Sequence, residues 1–159
     1  MNDVSVELAA KSDLEAVLDC WVHLLEGQRS CGAHIESEAN RPVAGDLLNQ
    51  YALGGRLAVA RDDGGSIVGF VMFYREEGVF EQSVTRGIIE NLFVVEARRG
   101  EGIGAALLAF AERRLADRGV DVVALSAMAE NEPARSFYRA QGYTPHRVEF
   151  ERRLDHPKA

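Results

Sequence analysis

The sequence predicts a mixed α/β fold (α+β, mixed sheet) in which helices cover both faces of a central sheet. Three observations lead to this prediction. Segments with helical periodicity alternate along the chain with segments of strand periodicity. Asp62–Gly65 is a hairpin turn signal between two apolar runs. The apolar run 88–95 passes through three glycines into a helical pattern, which predicts one right-handed crossover between parallel strands.

The size of the chain fits one domain over residues 1–159. Its 159 residues are 47% hydrophobic and 27% charged, as in ordinary globular domains with a single core. We find no linker, repeat or low-complexity segment that would divide it.

Two helices and three strands are predicted in the first half. Val4, Val6 and Leu8 alternate with polar residues, which predicts a strand. Ser12 and Glu15 form a capping box, so a helix is expected from Ser12 to about Gly27. The remaining elements are an irregular segment over 28–42, a helix over 43–53, and strands over 56–61 and 67–74 joined by the hairpin turn.

The second half is expected to alternate strand and helix. After a loop over 76–83, the predicted elements are a strand over 85–95, a helix from Ile103 that stops at Gly119, a strand over 120–126, a helix from Asn131 to about Gln141, and a last strand containing Val148, Phe150 and Leu154.

The turn Arg98–Gly104, with the sequence RRGEGIG, predicts an anion site. A strand that turns through glycines into a helix exposes backbone N–H groups at the positive end of the helix dipole. The alternative is a tight connection without a ligand. Gly104 is not followed by the Lys-Ser/Thr of a P-loop, and Leu107 stands where a dinucleotide fingerprint needs glycine.

Charge and composition exclude several classes. The net charge of −7, from 25 acidic and 18 basic residues, argues against a nucleic-acid partner. Cys20 and Cys31 are too few for a disulfide framework. The sequence has no apolar run of transmembrane length and no signal-peptide layout, so we expect a cytoplasmic protein without a membrane partner. His23, His34 and Glu36 lack metal-site spacing, and no metal is predicted.

Two motifs and the order of elements resemble the GNAT superfamily of acetyl-CoA-dependent N-acetyltransferases. Arg99–Gly104 matches the R/Q-x-x-G-x-G/A loop of that family, preceded by Leu92-Phe93-Val94 in place of its L-x-V. Asn131–Tyr143 resembles its N-x-x-A-x-x-F-Y-x-x-x-G-F/Y block. The resemblance implies a central, mostly antiparallel sheet with one parallel β-α-β crossover and helices on both faces.

The resemblance also implies acetyl-CoA as cosubstrate. A bulge is expected to splay the 85–95 strand from the 120–126 strand, with the thioester in the cleft between them. The residues expected to bind the cofactor are Leu92, Phe93, Val94 and Val95 along the pantetheine, Arg99, Gly100, Glu101, Gly102, Ile103 and Gly104 at the pyrophosphate, Asn131 at the mouth of the cleft, and Tyr138.

Two residues are candidate catalytic groups. Tyr138 matches the general acid of the family, which protonates the leaving sulfur; the alternative is an aromatic residue that packs its helix against the sheet. Glu90 is the candidate base, directly or through a water, and we expect burial to raise its pKa. The alternative for Glu90 is a solvent-facing residue of an alternating strand.

The expected reaction is transfer of an acetyl group from acetyl-CoA to a primary amine, by direct attack in a ternary complex. The acceptor is a small-molecule amine or a protein amine. Glu90 followed by Asn91 also resembles the diamine and polyamine branch, which carries Asp at the second position; a further alternative is a CoA-binding module without catalysis. Candidate acceptor-pocket residues, each otherwise solvated surface, are Trp21, His23, Glu26, Glu36, Glu38 and Glu81. Many relatives dimerise, so the resemblance suggests a homodimer.

Overall fold

A five-stranded mixed sheet forms the centre of the computed structural model, which describes residues 3–157. The strands are β1 (Val4–Leu8), β2 (Leu57–Asp62), β3 (Ile67–Arg75), β4 (Arg86–Val94) and β5 (Val122–Leu125). The α-helices are α1 (Leu14–Ser30), α2 (Arg41–Leu53), α3 (Ile103–Asp117) and α4 (Glu132–Ala140). The strands lie in sequence order, antiparallel except for the parallel pair β4–β5 joined by α3. The predicted fold class is confirmed.

Each face of the sheet has its own core because side chains alternate along the strands. Phe70 and Met72 of β3 pack with α1 and α2, whereas Val71 and Phe73 pack with α3. Apolar residues at helical spacing in α3, such as Leu107 and Leu108, complete the second core. Full burial of a side chain of this size stabilises the fold by about 1.5–3 kcal/mol.

The start and end of α1 differ from the prediction. The Ser12 side chain makes no capping bond, and a short 3-10 turn over Lys11–Asp13 precedes the helix. A carboxylate oxygen of Asp13 instead accepts a hydrogen bond from the Ala10 N–H at 2.8 Å. The helix also continues past Gly27 to Ser30, because the backbone reaches positive φ, which stops a helix, only at Gly32.

The segment between the first two helices is shorter than expected. A 3-10 turn over Glu38–Asn40 leads into α2, which begins at Arg41 rather than Val43. Pro42 lies in its first turn, where its missing N–H costs no hydrogen bond.

The predicted last strand is absent. Residues 144–157 form no helix or strand, and Val148, Phe150 and Leu154 are 71%, 91% and 66% exposed. An alternating pattern becomes a strand only through pairing, and β5 lies at the sheet edge without a second neighbour among residues 3–157. A contact between His34 Nε2 and the Glu151 carboxylate at 3.0 Å joins this segment to the loop after α1.

A bulge in β4 opens the sheet where the site was predicted. The β3–β4 register passes from Met72 opposite Asn91 to Phe73 opposite Ile89, which leaves Glu90 unpaired as the bulged residue. The pairing of β4 with β5 ends at Ile89 opposite Leu125. Residues 90–94 therefore have a strand neighbour on the β3 side and an open edge on the other, as the expected splay requires.

None of the helices in the described part of the chain has the length and apolarity needed to cross a bilayer.

Candidate active site

The glycine turn before α3 exposes backbone donors to a ligand. Gly100 and Gly102 have φ values of +81° and +83°, which glycine adopts without strain. Gly102 is the N-cap of α3 and supplies no side-chain acceptor, so the first N–H groups of the helix keep their hydrogen-bonding capacity. A Cβ atom at Gly100 would meet no atom within 4 Å. The turn therefore offers an anion both backbone donors and open space.

Ion pairing leaves Arg99 as the available positive charge at this turn. Arg98 binds Glu101 at 2.9 Å and Asp3 at 2.8 Å, which neutralises both carboxylates near the glycines. Arg99 donates from Nε to the Val94 carbonyl at 2.9 Å and forms no ion pair with a carboxylate among residues 3–157. Its guanidinium lies over the Phe93 ring, 5.5 Å from the centroid. An anion at the turn therefore meets one fixed, unneutralised cation.

The open edge of β4 presents backbone groups toward the cleft. The Val95 N–H donates to the Val68 carbonyl at 2.9 Å, on the β3 side. Backbone groups of successive strand residues point to opposite sides, so those of Val94 face the open edge. The Val94 carbonyl accordingly accepts from Arg99 rather than from a strand. The Val94 N–H is thus a donor that this edge offers to a ligand.

Helix α4 closes one side of the cleft. Asn131 caps it as predicted, with Oδ1 accepting from the Ala134 N–H at 3.3 Å. The Phe137 ring lies 3.4 Å from the position that a Cβ on Gly104 would occupy, and Val94 Cγ2 lies 3.8 Å from that position. Phe137 thus ties α4 to the start of α3 and the end of β4.

Tyr138 is half-buried beside Phe137. Its ring lies 5.4 Å from the Phe137 centroid and 6.1 Å from that of Tyr143. Burial raises the pKa of the Tyr138 hydroxyl, so the group is protonated at neutral pH. A proton donor needs that state, although the aromatic contacts show that Tyr138 also packs α4.

Glu90 extends from the bulge on the α1/α2 face of the sheet. Asn91 shares this face because it lies opposite Met72, whereas Ile89 lies opposite Phe73 on the other face. The Glu90 side chain is exposed, so the burial expected from the sequence is not found. It forms no hydrogen bond or ion pair with another of the residues 3–157. An accessible, unpartnered carboxylate can accept a proton or attract an ammonium group.

Two tyrosines near Glu90 were missed in the sequence. Burial and, secondarily, the Glu90 carboxylate raise the pKa of the Tyr51 and Tyr74 hydroxyls. Their rings meet edge to face with centroids 6.4 Å apart. The alternation of β3 could have placed Tyr74 on the face of Met72, but nothing in the sequence joins Tyr51 of α2 to that face.

The predicted acceptor residues differ in their surroundings. Trp21 is 8% exposed and belongs to the core under α1 and α2. Glu36 pairs with Arg29. The other residues of that set are exposed, and in the described chain no hydrogen bond or ion pair connects them to Glu90: His23, Glu26, Glu38 and Glu81. Residues 3–157 also contain no group of three His, Cys, Asp or Glu side chains able to hold a metal ion.

A large part of the chain matches the sequence model of a known protein family. The model of the acetyltransferase (GNAT) family matches residues 19–143. The chain belongs to the GNAT family. The match includes β4, the glycine turn, α3 and α4, and ends at Tyr143, where the segment without regular structure begins.

Three proteins to which the chain is similar are named as acetyltransferases. A mycothiol acetyltransferase of Clavibacter sepedonicus is 33% identical over 139 residues, which cover 85% of this chain and 42% of that protein. An aminoalkylphosphonate N-acetyltransferase of Salmonella typhimurium is 29% identical over 90 residues, which cover 57% of this chain and 58% of that protein. The structure of an aminoglycoside N-acetyltransferase in complex with CoA has a TM-score of 0.74 at 20% identity and covers 94% of each chain. The chain thus spans less than half the length of the mycothiol acetyltransferase that it matches.

Proposed function

We propose that this chain transfers the acetyl group of acetyl-CoA to the primary amine of a small molecule, by direct attack in a ternary complex. One observation carries the proposal. The pairing of β4 with β5 ends at Ile89, directly before the bulged residue Glu90, and β4 then leads into the glycine turn. A thioester in this opening has a carboxylate at one end and backbone donors at the other.

The donor side is assigned to backbone groups. The N–H groups of Gly100–Gly104 and the Arg99 guanidinium hold the pyrophosphate, and the open edge of β4 orders the pantetheine. The Val94 N–H stabilises the negative charge that develops on the carbonyl oxygen. Asn131 contacts the cofactor at the mouth of the cleft.

The acceptor side is assigned to Glu90. Glu90 takes one proton from the ammonium group, directly or through a water, which frees the lone pair. The amine nitrogen then forms a bond to the carbonyl carbon, the carbon–sulfur bond breaks, and the second proton leaves the nitrogen to solvent. Tyr138 gives its proton to the leaving sulfur. An amine with a pKa of about 10.4 costs about 4–5 kcal/mol to deprotonate at neutral pH, whereas protonation of a thiolate is worth about 2 kcal/mol. The base therefore contributes more than the acid.

The names of two relatives, for mycothiol and for aminoalkylphosphonates, support a small-molecule acceptor over a protein amine. Asn91 beside Glu90 on one face keeps a diamine or polyamine acceptor as the second candidate. Cytoplasmic location and a homodimer stay predictions; sedimentation of the purified chain tests the second.

Two measurements on one preparation test the proposal. Calorimetry measures acetyl-CoA binding, and thiol release is then followed across a panel of primary amines. We expect binding and amine-dependent release. Binding without release on any amine would instead support a CoA-binding module without catalysis.

A further inference from the structure

A second concave surface lies where β3 ends, at the end of the sheet away from the glycine turn. It is an open hollow of about 570 Å³, which we call the arginine hollow. The residues that line it are Arg56, Tyr74, Arg75, Glu77 and Arg118. Its volume is within the range of small-molecule sites.

The arginine hollow carries excess positive charge in an acidic chain. Three guanidinium groups and one carboxylate line it, whereas the whole chain has a net charge of −7. Within residues 3–157, none of the three arginines pairs with a carboxylate. Elsewhere, Arg61 and Arg98 each pair with at least two carboxylates. The charge of the hollow is therefore available to an anion.

The three arginines are held in place by contacts that leave their charge intact. Arg75 donates from Nη1 to the Arg118 carbonyl at 2.9 Å, and Arg118 donates from Nη2 to the Gly55 carbonyl at 3.0 Å. The Arg56 guanidinium lies 4.3 Å from the Tyr51 ring centroid. A guanidinium has five N–H donors, so these bonds leave several for a ligand. Fixed donors lose less conformational entropy on binding than free side chains do.

The tyrosine pair connects the arginine hollow to Glu90. Tyr74 lines the hollow, and its ring contacts Tyr51, which lies under Arg56. The Glu90 carboxylate acts on both hydroxyls, since it contributes to the raised pKa of each. Arg56 therefore lies beyond the two rings on the same face as Glu90, whereas Arg75 and Arg118 reach the hollow from the α3 side at the end of the sheet.

We propose that the arginine hollow binds an anionic group of the acceptor while the acceptor amine lies at Glu90. The acceptor class is then primary amines that carry a phosphonate, phosphate or carboxylate group. This inference rests on the proposed acetyl transfer. The inference argues against a diamine acceptor, because the second ammonium group of a diamine would meet three guanidinium groups.

The experiment compares acceptors that differ only in the group at the far end. Initial rates are measured with acetyl-CoA and four series of increasing chain length: ω-aminoalkylphosphonates, ω-aminocarboxylates, plain alkylamines and diamines. Because a charge-assisted contact to arginine is worth about tenfold or more in binding, the best anionic acceptor should exceed the alkylamine and the diamine of equal length by at least about tenfold in kcat/KM. The first two series distinguish phosphonate from carboxylate.

Arginine variants test whether the preference for anionic acceptors arises in the arginine hollow. In Arg75→Gln and Arg56→Gln, the ratio of kcat/KM for the anionic acceptor to that for the alkylamine should fall about tenfold, with most of the change in KM. Arg113→Gln removes an arginine from the exposed surface of α3, and that ratio should stay within about twofold of wild type. An alkylphosphonate without an amine should inhibit the wild type competitively against the acceptor, and Arg75→Gln more weakly.

The outcomes separate the inference from the proposed function. Two results overturn the inference and leave acetyl transfer intact. One is turnover of alkylamines or diamines at rates equal to or above those of anionic amines. The other is an unaltered ratio of kcat/KM for anionic acceptor and alkylamine in both Arg75→Gln and Arg56→Gln. If acetyl-CoA binds but no amine in any series is acetylated, the proposed function itself fails.

Discussion

The Phe137 ring lies 3.4 Å from the point that a Cβ atom on Gly104 would occupy. This is an ordinary van der Waals distance, so α4 packs directly on the first turn of α3. The contact joins two segments that are separated in sequence by β5 and its loops. Both motifs recognised in the sequence therefore meet at one point, beside Val94 at the end of the open strand.

Alanine at two glycines of the turn should have opposite effects on stability. Gly104 is helical and a methyl group fits against Phe137, so Gly104→Ala should raise the free energy of unfolding by about 0.5–1 kcal/mol. Gly100 has a φ of +81°, so Gly100→Ala should lower it by about 1–2 kcal/mol. Denaturant unfolding measures both.

Gly100→Ala should also weaken acetyl-CoA binding, because its methyl group enters the open space that we assign to the pyrophosphate. Calorimetry tests this at a temperature where the variant is fully folded. Wild-type affinity in a folded Gly100→Ala protein would argue against pyrophosphate binding at the turn.

Tyr138→Phe should lower kcat by at least about tenfold while acetyl-CoA affinity stays nearly unchanged, because the hydroxyl acts on the leaving sulfur. Tyr143→Phe is the matched control, since Tyr143 packs against Tyr138 but has no assigned role. Steady-state rates and calorimetry on both variants make the comparison. Unaltered turnover in Tyr138→Phe would leave this residue with a packing role alone.

Tyr143→Phe should increase stability. Among residues 3–157, its hydroxyl is the buried side-chain polar group without a hydrogen-bond partner. Removing an unsatisfied buried hydroxyl should raise the free energy of unfolding by about 1 kcal/mol. A clear loss of stability in denaturant titrations would indicate that a water or another group satisfies the hydroxyl.

Stability should fall at alkaline pH. Burial raises the pKa of all four tyrosines in the folded chain. Above the unfolded value of about 10, the unfolded state releases these protons before the folded state does, so it binds fewer protons and the free energy of unfolding decreases as pH rises. Below that pH the contribution is complete. Unfolding measured from neutral to strongly alkaline pH, with phenolate absorbance, checks the direction; a flat profile would contradict it.

Glu90→Gln should reduce kcat/KM for amines at every pH below the pKa of the amine, because an amide cannot take the proton. It should also lower the pKa of Tyr51 and Tyr74, since a neighbouring negative charge is removed. Glu149→Gln, an exposed carboxylate of the C-terminal segment, is the control. A deficit in Glu90→Gln that stays the same when the pH is raised above the pKa of the amine would instead assign Glu90 to acceptor binding.

Sequence alone predicted the elements whose cause is local. Asp62–Gly65 gives the hairpin, the glycines before Ile103 give the turn, and Asn131 caps α4 through its own side chain. The prediction of a last strand was wrong because a strand forms only beside a pairing partner. Val148 and Phe150 alternate with polar residues as strand residues do, but among residues 3–157 no strand pairs with them.

The candidate site also has one part that a local motif predicts and one part that it does not. The glycine turn is contiguous in sequence and was found from its motif. The group formed by Tyr51, Tyr74 and Glu90 comes from α2, β3 and β4, and the bulge between Ile89 and Asn91 places Asn91 on the same face as Glu90. A bulge changes the face on which later side chains lie, and alternation in the sequence does not reveal it.

Initial rates with both substrates varied test the central claim most directly. If the splay of β4 from β5 holds acetyl-CoA and the amine together, double-reciprocal plots should intersect and no acetylated protein should accumulate without an amine. Parallel lines together with an acetyl group trapped on the protein would contradict direct attack at Glu90, because they require a covalent intermediate that this cleft is not proposed to form.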